Sequence, residues 1–299
     1  MSHKMIVGIV AYNRADMLIE CLKFLLKEKQ VAKIHVSLDF SEKQNSIINE
    51  IEKLNVSEPE IVIHKNSSRM GLKRNVYKLC DLLSNRYEEF CIIEDDVIVE
   101  KGFLRFIEKV KALNLDQVRQ IVLYKLDWDE HNRMPVISPT FYNHLFLSKI
   151  PGSQAVYYKS SWWNEFKLKR ESIEVENIDL NPTADNWGAQ SWKKNYFKFM
   201  VKNGYFSIVP NGSYACHNGN VGTNFDNKFV IGFDTPLTLE KIPNELRLYH
   251  SDLLYLDIDY TWKGKYANTF NISTKSKLLF NYSIYDLTLA VLRKIKSKL

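Results

Sequence analysis

Three consecutive acidic residues, Glu94, Asp95 and Asp96, directly follow an apolar segment in the first half of the chain. An unpaired carboxylate is costly to bury, so such a cluster is either part of a solvated loop or a site for a cation. Mg²⁺ and Mn²⁺ are bound by one or two carboxylates together with phosphate oxygens. The acids therefore form a candidate site for Mn²⁺ or Mg²⁺ on a diphosphate, where the ion would neutralise the charge of a leaving group.

Charged residues also follow the other apolar segments of this half. Asp39 can accept the N–H of a uracil ring, or it can cap a turn. Arg14 can neutralise a phosphate or hold Asp39, or it is an exposed residue at a helix start. Lys73 and Arg74 come after Gly71 at a predicted helix entry, where free N–H groups and basic side chains favour phosphate. A solvated basic turn has the same pattern, so both interpretations remain open.

An alternation of strand and helix patterns positions these residues. Apolar runs predict strands, and helical spacing predicts helices between them. The strands are Met5–Tyr12, Ile34–Asp39, Glu60–His64 and Phe90–Ile93, and the helices are Ala15–Lys29, Ser46–Leu54, Leu72–Leu83 and Gly102–Leu113. This order predicts a parallel or mostly parallel doubly wound sheet. Ligands bind beyond the carboxyl ends of the strands in such sheets, so the charged residues above are expected at one edge.

The second half of the sequence is less regular. Apolar runs predict strands at Ile121–Leu126, within Pro151–Tyr158 and at Phe206–Pro210. Helices are expected near Ser160–Phe166 and at the aromatic-rich Asp185–Asn203, with loops at Glu171–Pro182 and the Gly/Asn-rich His217–Phe225.

The charged residues and their order resemble those of a known enzyme family. The segments that carry the resemblance are Tyr12-Asn13-Arg14, Asp39, Gly71-Leu72-Lys73-Arg74-Asn75 and Glu94-Asp95-Asp96. Together they resemble GT-A glycosyltransferases, in particular family 2 enzymes of bacterial surface-polysaccharide clusters. They are also similar to N-acetylglucosaminyltransferase I, whose acidic motif likewise reads Glu-Asp-Asp. The resemblance covers roughly residues 5–225.

This resemblance implies a fold and a set of roles. The fold is α/β: a GT-A-like, mostly parallel sheet flanked by helices, with a C-terminal helical appendage. In the family the last acid of the motif holds Mn²⁺, which here is Asp96, and the aspartate after the second strand reads the uracil, which here is Asp39. The remaining donor-binding candidates, near the nucleotide and its phosphates, are Tyr12, Arg14, Lys73, Arg74, Glu94 and Asp95.

The resemblance extends to the second half. It implies that Asp185, at the start of the predicted aromatic helix, is the general base that deprotonates the acceptor hydroxyl; a helix cap is the alternative. Trp187 and Trp192 are candidates for stacking on sugar faces or for core packing. His217, in the Gly/Asn-rich loop, is a candidate metal ligand, although many family members have Asn at this place.

Bulk properties place limits on the whole protein. With 299 residues, 45% of them hydrophobic, the chain is long enough for one large α/β domain with an appendage. We expect a catalytic domain over 1–230, with its nucleotide-sugar half at about 1–100 and its acceptor half at about 101–230, and a C-terminal extension over 231–299. The formal net charge of +6 suits anionic ligands such as nucleotide sugars or an anionic membrane surface, and no nucleic-acid partner is expected.

The cellular location is predicted from what the sequence contains. The start lacks a signal-peptide pattern, no apolar run is long enough to span a bilayer, and the four cysteines form no CxxC pair. A cytoplasmic protein is expected, in peripheral contact with the inner face of the plasma membrane if the basic, amphipathic Asn281–Leu299 lies on anionic lipid. The alternative is that this segment docks on the domain as a helix.

The predicted activity is inverting, metal-dependent transfer of a sugar from a nucleotide diphosphate, UDP in the first instance, to a hydroxyl of a cell-surface glycan or lipid-linked glycan. Two competitors remain. A sugar-phosphate nucleotidyltransferase would usually carry a Gly-rich phosphate loop after the first strand, where this chain has Ala11-Tyr12-Asn13-Arg14. A non-catalytic glycan-binding protein would have no reason to keep Asp39, the acid cluster and Asp185 together.

Overall fold

The computed structural model describes residues 4–126, 128–129, 134–136, 144–217, 246–248, 254–265 and 267. Its first part alternates strands and helices in the predicted order. The elements are β1 Met5–Ala11, α1 Ala15–Leu25, β2 Val31–Leu38, α2 Gln44–Glu52, β3 Glu60–Lys65, α3 Gly71–Ser84, β4 Glu89–Glu94, β5 Val97–Val99 and α4 Phe103–Lys111.

The later elements are shorter and more varied. They are β6 Val118–Val122, β7 Trp128–Asp129, β8 Met134–Pro135, β9 His144–Ser148, β10 Ala155–Lys159, α5 Ser160–Val175, α6 Pro182–Asp185, α7 Trp192–Lys202, β11 Phe206–Pro210, β12 Ala215–His217, β13 Arg247–Leu248, β14 Tyr255–Leu256 and β15 Trp262–Lys263.

One large sheet forms the centre of the molecule. Its strand order is β15-β14-β9-β11-β6-β10-β4-β1-β2-β3, with β13 paired to β9. Strands β1 to β4 are parallel, and β10 is inserted antiparallel between β4 and β6. The predicted mixed, mostly parallel sheet with flanking helices is confirmed. The carboxyl ends of β1, β2, β3 and β4 lie along one margin, which we call the carboxyl edge.

The sequence of β1 explains its central place. All seven of its residues, Met5 to Ala11, are buried, as expected for a strand with helices on both faces. Its single glycine permits close packing, since a Cβ on Gly8 would lie 2.8 Å from side-chain carbons of Ile92 and Leu83. Helix α3, which carries Leu83, therefore packs directly against β1 and β4.

Three predicted elements of the second half are wrong in their bounds. The apolar run Ile121–Leu126 is only partly strand, because the ladder stops at Val122 and the amide of Lys125 donates to the Ser213 hydroxyl instead. The predicted loop at Glu171–Pro182 is helical up to Val175, where ion pairs tie α5 to α3. The predicted helix Asp185–Asn203 is two helices, as described below.

A second, two-stranded sheet lies just beyond the carboxyl end of β4. Strands β5 and β12 pair antiparallel, with Val97 opposite His217 and Val99 opposite Ala215. The turn between β4 and β5 holds Asp95 and Asp96, so this small sheet carries His217 to the acid cluster.

Parts of the predicted C-terminal extension join the main sheet. Strands β13 and β14 pair with β9, and β15 pairs with β14. The division at residue 230 stays a prediction, and the basic segment Asn281–Leu299 lies outside the described residues. Of the helices in the described part of the chain, none combines the length and apolar character needed to cross a membrane.

Candidate active site

The acid cluster lies at the carboxyl edge and is held by one arginine. Glu94 ends β4, and Asp95 and Asp96 form the turn that follows. Arg14 Nη1 lies 2.7 Å from Asp96 Oδ2, and Arg14 Nη2 pairs with Asp95 Oδ1. The backbone amide of Tyr12 donates to Asp95 Oδ2 at 3.3 Å. Arg14 therefore holds the acids rather than Asp39, which corrects one of its predicted partners.

Burial and mutual repulsion alter the charge of the cluster. Burial, and then the negative charges of Asp96 and Asp95, raises the pKa of Glu94 to about 8. Burial also raises the pKa of Asp95 to about 6, although the neighbouring Arg14 guanidinium opposes the shift. Burial and the neighbouring carboxylates therefore favour the neutral form of Glu94 more strongly than that of Asp95, which pairs with Arg14.

Asp96 has one carboxylate oxygen that is buried without a hydrogen-bond partner. This oxygen, Oδ1, lies 3.9 Å from His217 Nδ1, too far for a hydrogen bond. The two residues are far apart in sequence and meet because β5 pairs with β12. Among the described residues no group of three or more His, Cys, Asp or Glu side chains could hold a metal. Of the described residues, Asp96 and His217 are the two that would ligate an ion here, which leaves coordination positions for substrate oxygens.

Asp39 lies at the same edge and is hydrogen-bonded to the start of α3. Its carboxylate is 3% exposed and accepts hydrogen bonds from the backbone amides of Phe40 (2.9 Å), Met70 (2.8 Å) and Gly71 (2.9 Å). Asp39 thus caps α3, a helix distant in sequence, rather than a turn before α2. The carboxylate fixes the start of α3, the helix end at which the sequence predicts a phosphate site. The hydrogen bond from Asp39 to a base stays a prediction.

A buried polar network supports this arrangement. Ser37, Asn66, Asn75 and Gln44 bond one another and the backbone ends of β1, β2 and β3. The contacts are Ser37 Oγ to Asn75 Oδ1 at 2.6 Å, Asn66 Nδ2 to Asn75 Oδ1 at 3.1 Å, and Gln44 Nε2 to the Asn66 carbonyl at 3.0 Å. Since these groups are largely satisfied by one another, they fix the strand ends relative to the start of α3.

The surface above Asp39 is aromatic and basic. The guanidinium of Arg69 lies 5.0 Å from the centre of the half-buried Tyr12 ring, a cation–π distance. Phe40 and Leu72 are 45% and 48% exposed beside it, and Arg74 is exposed in the first turn of α3. An aromatic ring, apolar side chains and a basic helix start are what a nucleoside diphosphate needs for its base and phosphates.

Lys73 is placed differently from what a phosphate ligand requires. It is 8% exposed, and its Nζ lies 2.5 Å from Glu174 Oε1 and 3.0 Å from the carbonyl oxygen of Ala189. Lys194 likewise donates to the carbonyls of Asp185 and Trp187. Lys73 thus ties the connection between α6 and α7 to the start of α3, and Lys194 ties the same connection to α7.

We therefore expect Lys73→Met to loosen this connection without weakening the binding of UDP. Backbone amides in 185–190 should exchange faster with deuterium, because their tie to α3 is lost. Affinity for UDP with Mn²⁺ should stay near that of the wild type, whereas a lost charged hydrogen bond to phosphate would cost about 1.5–3 kcal/mol. Arg74→Met is the control for the exchange measurement alone, since it removes an adjacent charge; its UDP affinity is expected to fall, because Arg74 is a candidate phosphate ligand. A large loss of UDP affinity in Lys73→Met would restore Lys73 as a phosphate ligand.

The predicted general base, Asp185, lies at the end of a short helix, not at the start of a long one. It is the last residue of α6, whose N-cap is Asn181, and its side chain is exposed. Helix α7 begins at Trp192 and is capped by Ser191, whose hydroxyl accepts from the Lys194 amide. Asp185 therefore caps neither helix. Its catalytic role stays a prediction, now without the helix-cap alternative.

The two predicted acceptor-stacking residues differ. Trp192 is 2% exposed and packs in the core near Tyr196, so its ring is not available to a sugar, and this prediction is wrong. Trp187 is half-buried, with the Lys193 ammonium 4.6 Å from its ring centre. Lys193 in turn is close enough to Glu94 to lower its pKa. Trp187 therefore stays a candidate for contact with a sugar ring.

The backbone of residues 151–154 lies next to the acid cluster, and the sequence did not identify it as part of the site. The carbonyl of Gln154 accepts from the Glu94 amide at 2.9 Å, and the Ser153 amide donates to the Tyr124 hydroxyl at 2.9 Å. Gly152 is packed against Val122, where a Cβ would lie 2.9 Å away. The dipeptide Gly152-Ser153 at the start of a strand was the available signal for a close approach of backbone to a site.

Comparison with known proteins gives the fold a name. No protein-family model and no curated protein matches the sequence. Among solved structures, GalNAc-T7 with UDP, GalNAc and Mn²⁺ matches with a TM-score of 0.50 and 12% identity over 70% of this chain and 43% of that one. At this identity the similarity shows the fold alone, and that fold is the GT-A fold of the predicted resemblance.

Two further structures match at lower scores. S. aureus TarS 1-349 in complex with UDP-GlcNAc has a TM-score of 0.47 and 12% identity over 73% of this chain and 59% of that one. The mannosyltransferase PcManGT from Pyrobaculum calidifontis, in complex with GDP-Man and Mn²⁺, has a TM-score of 0.44 and 15% identity over 70% and 55%. The chain thus spans about half the length of the structures it matches.

Proposed function

We propose that this chain is a metal-dependent glycosyltransferase. It transfers a sugar from a nucleotide diphosphate, taken to be UDP, to a hydroxyl of a cell-surface glycan or lipid-linked glycan, with inversion at the anomeric carbon. The observation that carries the proposal is the buried, unpartnered Oδ1 of Asp96 facing His217 at the carboxyl edge of a GT-A fold. The capped start of α3 at the same edge supplies the second half of a diphosphate site.

The residues at the carboxyl edge fit a divalent ion. Two ligands of one ion, each about 2.1 Å from it, lie at most about 4.2 Å apart. The 3.9 Å between Asp96 Oδ1 and His217 Nδ1 falls within that limit. One carboxylate and one imidazole leave coordination positions for phosphate oxygens, which suits Mn²⁺ or Mg²⁺. The ion would supply positive charge against the leaving diphosphate.

The donor would lie along the ends of β1 and β2 and the start of α3. The base would lie near Asp39 and the Tyr12 ring. The diphosphate would lie between the acid cluster and the first turn of α3, where the Arg74 side chain is exposed. Asp39 takes the amides of Met70 and Gly71, so phosphate oxygens would contact the N–H groups that follow in the first turn of α3. The assignment of uracil rests on Asp39 alone, whose carboxylate would accept the N–H of the uracil ring.

The proposed reaction is a single displacement. Asp185 accepts the proton of the acceptor hydroxyl, and that oxygen forms a bond to the anomeric carbon of the donor sugar. The bond from the anomeric carbon to the diphosphate oxygen breaks on the opposite face, and the diphosphate leaves with the electron pair. Trp187, whose ring lies 4.6 Å from the Lys193 ammonium, would contact a sugar ring of the acceptor.

The two competing functions fit the geometry less well. A nucleotidyltransferase needs a cationic phosphate loop after β1, but the basic residue there, Arg14, is paired with Asp95 and Asp96. A glycan-binding protein without catalysis has no use for a buried carboxylate oxygen with no partner, which costs about 1–3 kcal/mol or more. An ion that binds there would offset this cost.

Calorimetric titration with UDP, with and without Mn²⁺, tests the proposal. We expect UDP to bind when Mn²⁺ is present and at least about tenfold more weakly in EDTA, because the ion links Asp96 to the diphosphate. CDP and GDP as controls should bind more weakly than UDP. Tight UDP binding that does not change in EDTA would contradict the metal dependence, and no binding of any nucleotide would favour the glycan-binding alternative.

A further inference from the structure

A single guanidinium spans two of the three acids in the cluster. Arg14 donates through Nη1 to Asp96 Oδ2 and through Nη2 to Asp95 Oδ1. Its backbone is fixed, since Arg14 is the N-cap of α1 and its carbonyl accepts from the Leu18 amide at 3.1 Å. The second oxygen of Asp95 is held by the Tyr12 amide. Arg14 therefore has little freedom to leave the two carboxylates.

This contact gives the two carboxylate oxygens of Asp96 different surroundings. Arg14 occupies Oδ2, while Oδ1 is buried, has no hydrogen-bond partner and faces His217 Nδ1 at 3.9 Å. A carboxylate is planar, so fixing Oδ2 also fixes the direction of Oδ1. The orientation of the candidate metal-binding oxygen is thus set by Arg14 rather than by the metal.

We propose that Arg14 is a positioning residue for the metal ligand Asp96, an inference that rests on the function proposed above. By holding Oδ2, it presents one oxygen of Asp96 to the ion and prevents the carboxylate from binding through both. The coordination positions that would be lost to a bidentate carboxylate stay open for phosphate oxygens. Groups that orient a metal ligand through a hydrogen bond have large effects on metal affinity.

The geometry of the guanidinium separates this role from a simple effect of charge. A lysine at position 14 keeps the positive charge but has a single, compact ammonium that cannot span two carboxylates as a planar fork does. If Arg14 positions Asp96, a lysine fails to replace it. If Arg14 only reduces the negative charge of the cluster, a lysine suffices, and a neutral residue makes Mn²⁺ bind more tightly.

The test is the affinity for Mn²⁺, measured by electron paramagnetic resonance of the free ion at saturating UDP against a protein-free reference with the same UDP, because the nucleotide also binds Mn²⁺. We expect Arg14→Lys and Arg14→Met each to weaken Mn²⁺ binding by about 10–100-fold. Arg105→Met is the matched control, since Arg105 is exposed on α4, and it should bind Mn²⁺ as the wild type does. The midpoint of thermal unfolding, recorded for each variant, shows whether the measured protein is folded.

Each other outcome has a distinct meaning. Wild-type Mn²⁺ affinity in Arg14→Lys, or tighter binding in Arg14→Met, would overturn the positioning role and leave the proposed function standing. A wild-type protein that binds no Mn²⁺ would instead refute the metal-dependent function itself. If the Arg14 variants do not fold, Asp95→Asn decides, because it weakens the second anchor of Arg14 and leaves Asp96 intact. Weaker Mn²⁺ binding in Asp95→Asn supports the proposal, and unchanged binding overturns it.

Discussion

Replacing Asp96 with alanine is expected to remove Mn²⁺-dependent UDP binding and to reduce turnover of the donor by about 10³-fold or more, since a catalytic metal is worth several kcal/mol. The physical reason is the loss of the one buried oxygen that faces His217. Turnover is measured as UDP release, and Mn²⁺ binding by calorimetry. Treatment of the wild type with EDTA should have the same effect, and undiminished turnover in EDTA would contradict the metal-dependent mechanism.

An isosteric change makes this prediction sharper. In Asp96→Asn the N–H groups of Arg14 require an oxygen acceptor, so the side-chain amide nitrogen is turned toward His217, where it cannot ligate an ion. Asp96→Asn should therefore lose Mn²⁺ almost as fully as Asp96→Ala while keeping the packing of the turn. Asp16→Ala is the control. Asp16 is exposed in the first turn of α1, so this substitution removes the same charge away from the acid cluster.

The first half of the fold was predictable because its inner strands, β1 and β4, are largely buried on both faces. Such strands appear as continuous apolar runs, and each is separated from the next by a helix with an apolar stripe. The β-α order then restricts the topology, so the edge that carries Asp39 and the acid cluster follows without any long-range information. The remaining errors here concern the ends of elements, such as α1, which ends at Leu25, and the short strand β5, which was not predicted.

The second half could not be predicted as well, for two physical reasons. An apolar run does not tell the direction of a strand, so the antiparallel insertion of β10 between β4 and β6 was not foreseeable. Tertiary contacts also outweigh local signals. Helix α5 continues to Val175 because Arg170 pairs with Asp81 and Glu174 with Lys73. By contrast, Gly188 and Ser191 were readable signals for the break before α7.

At the site, the residue types were predictable but their partners were not. The family resemblance made Asp96 and His217 candidate ligands of one metal, and the structure shows that the pairing of β5 with β12 brings them together. Asp39 was expected beside a base, and its nearest groups are the amides that begin α3. Both cases depend on contacts between segments distant in sequence, and the sequence contains no spacing that reveals them.

The second large effect is expected from Asp185→Asn. An inverting displacement needs one carboxylate at the acceptor hydroxyl, and Asn has the size of Asp without its basic oxygen. Turnover should fall by about 10²–10⁴-fold for a lost general base. UDP affinity and the unfolding midpoint should stay near the wild type, because the Asp185 side chain is exposed and the caps of α6 and α7 are Asn181 and Ser191. Turnover is measured as UDP release at saturating Mn²⁺.

The control for this variant is Asp179→Asn, since Asp179 is also exposed and lies in the connection before α6. It removes the same charge close by in sequence and should keep full turnover, which excludes a general effect of net charge. A kcat of Asp185→Asn within a few-fold of the wild type would remove Asp185 from the mechanism while leaving the metal site untouched. The anomeric configuration of the product, read by NMR, addresses the step itself: a single displacement inverts it, and a retained configuration would require a nucleophile on the opposite face of the sugar.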